Sequence, residues 1–198
     1  MKVAFQTDVG QQRQNNQDYV GFYTNKSGAQ FAIVADGMGG HLGGDVASEM
    51  AVSHIGYEFE RTDDTNIGDS RVYRFRNNEL RQLTEDHSLV NELVKQGELT
   101  EEAAKHHPQK NIITRTLGVS QDVDADVTIY EFEPDDYLLL CTDGLTNMVD
   151  DEQIKTTLMT PTSLEEKCAA LIQQANDAGG LDNITALILH QTGEEGAR

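Results

Sequence analysis

The chain has 198 residues, of which 37% are hydrophobic, so it can bury one sizeable core and is most economically a single domain over residues 1–198. Its formal net charge of −19 argues against a nucleic-acid or anionic-membrane partner, because phosphate-rich surfaces bind basic patches. No apolar run approaches the ~20 residues that span a bilayer, and the first five residues are too short for a secretory signal, so we expect a cytoplasmic protein with reduced cysteines.

The N-terminal part of the chain has the residue pattern of strands. Residues 3–8, 19–23 and 28–36 are predicted as strands, with a polar loop over residues 10–18. The third strand ends in Asp36, and Gly37 follows directly. Glycines let the chain turn and bring main-chain carbonyl groups beside the carboxylate, which suits a Mg²⁺ or Mn²⁺ site. A solvated aspartate in an ordinary turn fits this segment equally well.

The rest of the chain mixes helices and strands. A hairpin is predicted over residues 70–83 with its turn at Asn77 and Asn78, and helices are predicted after residues 88, 100, 150 and 163. Apolar runs over residues 137–142 and 184–189 indicate two further strands. A further helix is predicted from Asp45, and the residues expected on its buried face are Ala47, Met50, Ala51, His54 and Ile55.

Four aspartates stand at the ends of strand-like runs: Asp36, Asp69, Asp143 and Asp182. If folding brings them together, each pair at ~4 Å repels by roughly 4 kcal/mol at an effective dielectric of about 20. A domain that is stable by only about 5–15 kcal/mol cannot hold several such pairs unless cations neutralise them. Convergence of these carboxylates would therefore imply bound metal.

Five short segments carry a resemblance to a known family. They read GQQRQNNQD at residues 10–18, VADGMGGH at 34–41, IGDSR at 67–71, CTDGL at 141–145 and LDNIT at 181–185. In these motifs and their order the chain resembles the bacterial metal-dependent Ser/Thr protein phosphatases of the PPM (type 2C) family. The resemblance implies an α+β fold, a central β-sandwich of two antiparallel sheets flanked by helices on both sides (α-β-β-α).

The resemblance also implies two or three Mn²⁺ or Mg²⁺ ions, held between the sheets at one end. Asp36 would bridge two ions, the Gly37 carbonyl would bind one of them, and Asp143 with Asp182 would bind the other. Asp69, together with Asp143, would hold a weaker third ion.

Three further residues receive roles from the same resemblance. Asp18 would contact a metal through water, and Arg13 would bind the substrate phosphate, to which its planar guanidinium offers two donors. His41 is a candidate to protonate the leaving Ser or Thr oxygen, and a structural role for it is the alternative.

The implied activity is hydrolysis of phosphoserine and phosphothreonine in proteins by a water activated between two metals. The sequence has no cysteine or serine in a nucleophile motif, so no phosphoenzyme is expected. The expected partners are phosphorylated proteins, in particular a Ser/Thr protein kinase and its substrates, and the protein is expected to be a monomer.

The sequence departs from the family between residues 62 and 67, where relatives usually have several dozen more residues. Our hypothesis is that residues of the natural protein are missing from this sequence at that point. If the deletion is real, the alternative function is a catalytically weak, phosphoprotein-binding regulatory module. Residues 87–117 correspond to the family's flap, a segment beside the active site where substrate selection is expected.

Overall fold

The computed structural model describes residues 1–24, 28, 30–37, 44–59, 69–105, 107–116, 126 and 130–192. Its strands are β1 Lys2–Asp8, β2 Asp18–Thr24, β3 Gln30–Asp36, β4 Arg71–Arg76, β5 Glu79–Gln82, β6 Tyr137–Cys141 and β7 Ile184–His190. Its helices are α1 Gly44–Phe59, α2 Leu89–Lys95, α3 Glu101–Lys105, α4 Asp143–Thr146, α5 Asp151–Met159 and α6 Leu164–Asp177. None of the described helices is both long and apolar enough to cross a membrane.

The described strands form two antiparallel sheets. One sheet has five strands in the order β1-β7-β6-β4-β5, and the other pairs β2 with β3. Helix α6 packs on β1 and β7 of the larger sheet, whereas α1 packs on β2 and β3 of the smaller one. The predicted α-β-β-α sandwich is therefore confirmed.

The main core lies between the larger sheet and the helices α4 to α6. Its members include Leu139, Leu145, Ile154, Leu171 and Ile188, all completely buried. Every residue of β7 except its last is buried, because this strand has neighbours on both sides and layers on both faces. Burying such side chains stabilises the fold by about 1.5–3 kcal/mol each.

Local signals in the sequence agree with several element boundaries. The β4–β5 turn places Asn77 and Asn78 at φ of 51° and 63°, the left-handed values that a two-residue hairpin turn requires. Ser163 caps α6 in a capping box with Glu166, as expected from their spacing. Asp150 caps α5 in the same way.

The predicted buried face of α1 is wrong at three of its five residues, whereas Ala51 and Ile55 are partly buried. Met50 is 65% exposed, and Ala47 and His54 are also exposed, whereas Ser48 and Val52 are buried. The reason is a polar contact, since the Ser48 hydroxyl lies 2.6 Å from the carbonyl oxygen of Gln17 in the loop before β2. Hydrophobic periodicity does not detect a serine that is drawn inward by a hydrogen bond.

Candidate active site

The pairing of β2 with β3 places two of the aspartates opposite each other. Asp18 is the first residue of β2 and Asp36 is the last residue of β3, and their Cα atoms are register partners. The backbone N–H of Gly37 donates to the carbonyl of Gln17 at 3.1 Å and so extends the pairing past the strand ends. Gly37 is tightly enclosed, because a Cβ there would lie 2.3 Å from the carbonyl oxygen of Gly44.

The larger sheet brings three more aspartates to the same end of the sandwich. Arg71 of β4 pairs with Cys141 of β6, so Asp69 just before β4 and Asp143 just after β6 leave the sheet side by side. Asp182 precedes β7, the other neighbour of β6.

A glycine allows the close approach of the Asp143 and Asp182 segments. A Cβ on Gly144 would lie 1.9 Å from the carbonyl oxygen of Asn183. No other residue type fits at that position without moving the backbone, so the glycine after Asp143 is a requirement of the packing.

Two threonine hydroxyls hold the carboxylate of Asp18, and sequence reasoning did not identify them. Thr142 and Thr185 are fully buried and donate to the same oxygen, Oδ2, at 2.8 and 2.7 Å. The backbone N–H of Thr185 in turn donates to the Thr142 hydroxyl at 3.0 Å. The one available signal was position, since Thr142 directly precedes Asp143 and Thr185 follows Asn183 by two residues.

Asn183 fixes the polar loop that contains Arg13. Its amide nitrogen donates to the carbonyls of Val9 and Asn15, both at 2.9 Å, and its amide oxygen accepts from the backbone N–H of Gln17 at 2.8 Å. Asn183 is buried, so these hydrogen bonds are shielded from water. The loop is therefore tied at both ends to the start of β7.

Arg13 lies beside the predicted metal ligands. Its Nη2 donates to Oδ2 of Asp182 at 2.7 Å, and both side chains are partly exposed, at 46% and 35%. The structure thus places Arg13, the residue predicted to bind the substrate phosphate, on the solvent-accessible side of the aspartate cluster.

The five carboxyl groups are close enough to influence one another's charge. Burial, followed by the charges of neighbouring aspartates that include Asp18 and Asp143, raises the pKa of Asp36 to about 9. Burial is also the main cause that raises the pKa values of Asp18 and Asp69, each to about 6. The pKa of Asp143 is raised by burial and by Asp182. Each shift means that the folded protein disfavours the negative charge, which a nearby cation would reverse.

The donor set fits a hard divalent cation. Oδ1 of Asp18 and Oδ1 of Asp143 are buried and have no hydrogen-bond partner, and carboxylate oxygens are the ligands that Mg²⁺ and Mn²⁺ prefer. Among the described residues, no three acidic, histidine or cysteine side chains already have the arrangement of a complete metal site. Arg13 holds one oxygen of Asp182 and the threonines hold one of Asp18, so each of these carboxylates has a second oxygen outside those contacts.

An ion pair lies directly behind Asp69. Arg71 donates from Nε and Nη2 to the two carboxylate oxygens of Asp86, at 2.9 and 2.6 Å, and from Nη1 to the Tyr73 hydroxyl at 3.0 Å. Asp86 also accepts from Gln82 at 2.9 Å and directly precedes residue 87, where the predicted flap begins. This pair joins the Asp69 segment to the residues directly before the predicted flap.

The predicted flap, residues 87–117, makes contacts that no sequence pattern indicated. His87 is buried and its Nε2 lies 2.9 Å from Oδ2 of Asp126, whose other oxygen accepts from Arg115 at 3.1 Å. Lys110 donates to the side-chain oxygen of Asn147 at 3.1 Å. His41 lies outside the described residues. Residues 62–67, where a segment is predicted to be missing, also lie outside them.

Comparison with known proteins gives consistent matches. The model of the protein phosphatase 2C family matches residues 7–65, and that of the stage II sporulation protein E family matches residues 95–192. A putative protein phosphatase 2C-type of Streptococcus pyogenes is 39% identical over 244 residues, covering 98% of this chain and 99% of the relative. Because this chain has 198 residues, at least 46 of those 244 positions have no counterpart in it.

Solved structures share both the fold and part of the sequence. The Ser/Thr phosphatase of S. agalactiae has a TM-score of 0.88 and 39% identity, covering 96% of this chain and 98% of that chain. The catalytic domain of the Ser/Thr protein phosphatase PstP, solved with 2 manganese ions, has a TM-score of 0.80 and 28% identity, covering 94% and 96%.

Proposed function

Because the chain belongs to the bacterial PPM-type (type 2C) family and is a protein Ser/Thr phosphatase, we propose that the five converging aspartates form its metal centre. The observation that carries this proposal is the meeting of Asp18, Asp36, Asp69, Asp143 and Asp182 at one end of the sandwich. Their mutual repulsion makes the cluster a binding site for positive charge. The Mn²⁺ and Mg²⁺ ions that the family uses supply that charge.

The proposed ligands are distributed over two ions. Asp36 would contact both, with the Gly37 carbonyl on one, and Asp143 with Asp182 would bind the other. Asp69 would complete a third, weaker site together with Asp143. When bound, such ions acidify a water and neutralise phosphate charge.

The other residues of the site position the substrate and the ligands. Arg13 would donate to two phosphate oxygens, for which it must exchange its contact with Asp182 at 2.7 Å. Asp18 is held by Thr142 and Thr185 through its Oδ2. Its Oδ1, which has no hydrogen-bond partner, would be available to a metal-bound water. His41 remains our candidate for protonation of the leaving oxygen.

We expect hydrolysis without a covalent phosphoenzyme. In the described part of the site, the hydroxyl groups of Thr142 and Thr185 donate to a carboxylate and are fully buried, so they are not available as nucleophiles. Rapid quenching during turnover of a ³²P-labelled phosphopeptide would reveal a labelled protein if this expectation is wrong.

The proposed substrates are phosphorylated proteins of a bacterial signalling system, including a Ser/Thr protein kinase and the proteins that it modifies. The cytoplasmic location and the monomeric state are parts of the same proposal. Affinity capture with an inactive Asp36→Asn variant, followed by phosphoproteomics, would identify the substrates.

The direct test is Mn²⁺-dependent release of phosphate from a phosphothreonine peptide. We expect Asp36→Asn and Asp182→Asn each to lower kcat/KM by about 100-fold or more, because each removes a charge from the centre. Asp135→Asn is a matched control, since Asp135 lies before β6 at the opposite end of the strand from Asp143 and has a φ of 68° that asparagine tolerates. Full activity in either site variant, or activity after thorough chelation, would refute the metal assignment.

The alternative of a catalytically weak, phosphoprotein-binding module is supported by one observation. The alignment with the S. pyogenes relative contains at least 46 positions that this chain does not fill. Phosphopeptide binding by the unmodified chain, combined with undetectable phosphate release at saturating Mn²⁺, would favour this alternative.

A further inference from the structure

Asn147 connects the flap to one of the proposed metal ligands. This residue is the C-cap of the short helix α4, and its side-chain Nδ2 donates to Oδ2 of Asp143 at 2.9 Å. Its side-chain oxygen accepts from Nζ of Lys110 at 3.1 Å. We call this series of contacts, from Lys110 through Asn147 to Asp143, the flap bridge.

The flap bridge engages only one oxygen of Asp143. The second oxygen, Oδ1, is buried and has no hydrogen-bond partner. A carboxylate with one oxygen fixed by an amide donor cannot rotate freely, so its other oxygen keeps a defined direction. This is the arrangement by which outer hydrogen-bond partners orient metal-binding carboxylates.

Core packing does not account for the side chain of Asn147. The residue is exposed, and the backbone of α4 is capped separately, by the Asn147 N–H donating to the Asp143 carbonyl at 2.8 Å. Exposed hydrogen bonds add only about 0.5–1.5 kcal/mol to stability. The side chain therefore has little structural value, and its two contacts are what a replacement would change.

The position of Lys110 depends on the position of the flap. It lies in a turn closed by hydrogen bonds from Lys110 N–H to the His107 carbonyl at 3.1 Å and from Ile112 N–H to the Gln109 carbonyl at 3.2 Å. The flap is also joined to its own base, since Leu89 N–H donates to the Ile112 carbonyl at 2.9 Å. A displacement of this unit would separate Lys110 from Asn147.

We propose that Asn147 is a positioning residue that couples the placement of the flap to the affinity of Asp143 for a divalent cation. This inference rests on the proposed function only for the identity of Asp143 as a metal ligand. Coupling between two sites is reciprocal, so a flap residue that strengthens metal binding is itself held more firmly when metal is bound.

The test measures Mn²⁺ binding without substrate, by isothermal titration calorimetry on the full chain. We expect Asn147→Leu to weaken Mn²⁺ binding by about 10- to 100-fold, as loss of such hydrogen-bond partners generally does. Lys110→Met should weaken it by about two- to five-fold, the value of one exposed hydrogen bond. In the Asn147→Leu background, Lys110→Met should have no further effect, because the connection is already broken.

Controls separate positioning from simple loss of charge or fold. Lys155→Met removes a partly exposed lysine of α5, outside the site, and should leave Mn²⁺ affinity unchanged. Asn147→Ala serves as a second variant if Asn147→Leu does not fold, and melting temperatures in EDTA report folding.

Two results would overturn the inference. One is unchanged Mn²⁺ affinity in folded Asn147→Leu or Asn147→Ala protein, and the other is an equal effect of Lys110→Met with and without Asn147. Phosphate release by the wild-type chain is measured in parallel. The wild-type chain could be inactive while the Asn147 and Lys110 variants still change Mn²⁺ affinity as predicted. That result would refute the proposed function and support the role of Asn147 in metal binding.

Discussion

Removal of the Asp86 carboxylate is expected to destabilise the protein and loosen the Asp69 segment. Asp86 receives two donors from Arg71, at 2.9 and 2.6 Å, and the two side chains are only 18% and 28% exposed. Asp86→Ala would leave the Arg71 guanidinium in a mostly buried position, where among the described contacts its remaining hydrogen bond is to the Tyr73 hydroxyl at 3.0 Å.

The magnitude follows from the burial of the pair. Removing one partner of a buried ion pair costs about 3–5 kcal/mol, whereas an apolar replacement of both partners is often nearly neutral. Since this pair is not fully buried, we expect the lower value, about 3 kcal/mol, for Asp86→Ala and for Arg71→Met alone. The double variant should then lose about 3–4 kcal/mol rather than the sum of about 6 kcal/mol, giving a coupling energy of about 2–3 kcal/mol.

The assay is urea denaturation in EDTA followed by circular dichroism, so that metal binding does not contribute. In thermal denaturation, 3 kcal/mol corresponds to a fall of about 6–12 °C for a domain of this size. Arg81→Met, an exposed arginine on β5, is the control and should change stability by less than about 0.5 kcal/mol. A coupling energy below about 0.5 kcal/mol would show that the Arg71–Asp86 geometry has no energetic value, and the reasoning would fail.

Two further predictions concern groups far from the site. Lys167 is 1% exposed and donates to the carbonyls of Leu158, at 2.8 Å, and of Thr160 at the end of α5. Lys167→Met should therefore lower the free energy of unfolding by about 3 kcal/mol. An unchanged melting temperature would contradict this. Burial raises the pKa of Asp136, but hydrogen bonds from Arg76 and the Glu133 N–H outweigh this and lower it. The carboxylate therefore stabilises the fold above the unfolded-state pKa, and this contribution disappears as the pH falls through the lowered folded-state pKa. Urea midpoints should accordingly show a deficit of about 2 kcal/mol for Asp136→Asn at pH 7 that shrinks below about pH 4, and a pH-independent deficit would refute the assignment.

Local features of the fold were predictable from the sequence because their causes are local. The hairpin turn depends on Asn77 and Asn78 themselves, and the caps of α5 and α6 depend on residues three positions apart. The strand ends that carry Asp36 and Asp143 follow from apolar runs that stop at a carboxylate. Such signals are contained within a few neighbouring residues.

The rest depended on pairings between distant parts of the chain. The hold of Thr142 and Thr185 on Asp18 joins residues that are 124 and 167 positions apart. Met50 lies on the exposed face of α1 because Ser48, on the opposite face, is hydrogen-bonded to a carbonyl 31 positions away. The order of the strands in the larger sheet is of the same kind, since periodicity identifies a strand but not its neighbours.

The position of β7 between β1 and β6 has a consequence for biosynthesis. A ribosome makes this strand after every other described strand, yet it belongs in the interior of the larger sheet and is preceded by Asp182 and Asn183. Until β7 inserts, β1 and β6 have no common neighbour. The loop around Arg13 also lacks its hydrogen bonds to the side chain of Asn183. The nascent polypeptide therefore cannot dephosphorylate other proteins during translation, and its activity begins only once synthesis has passed β7.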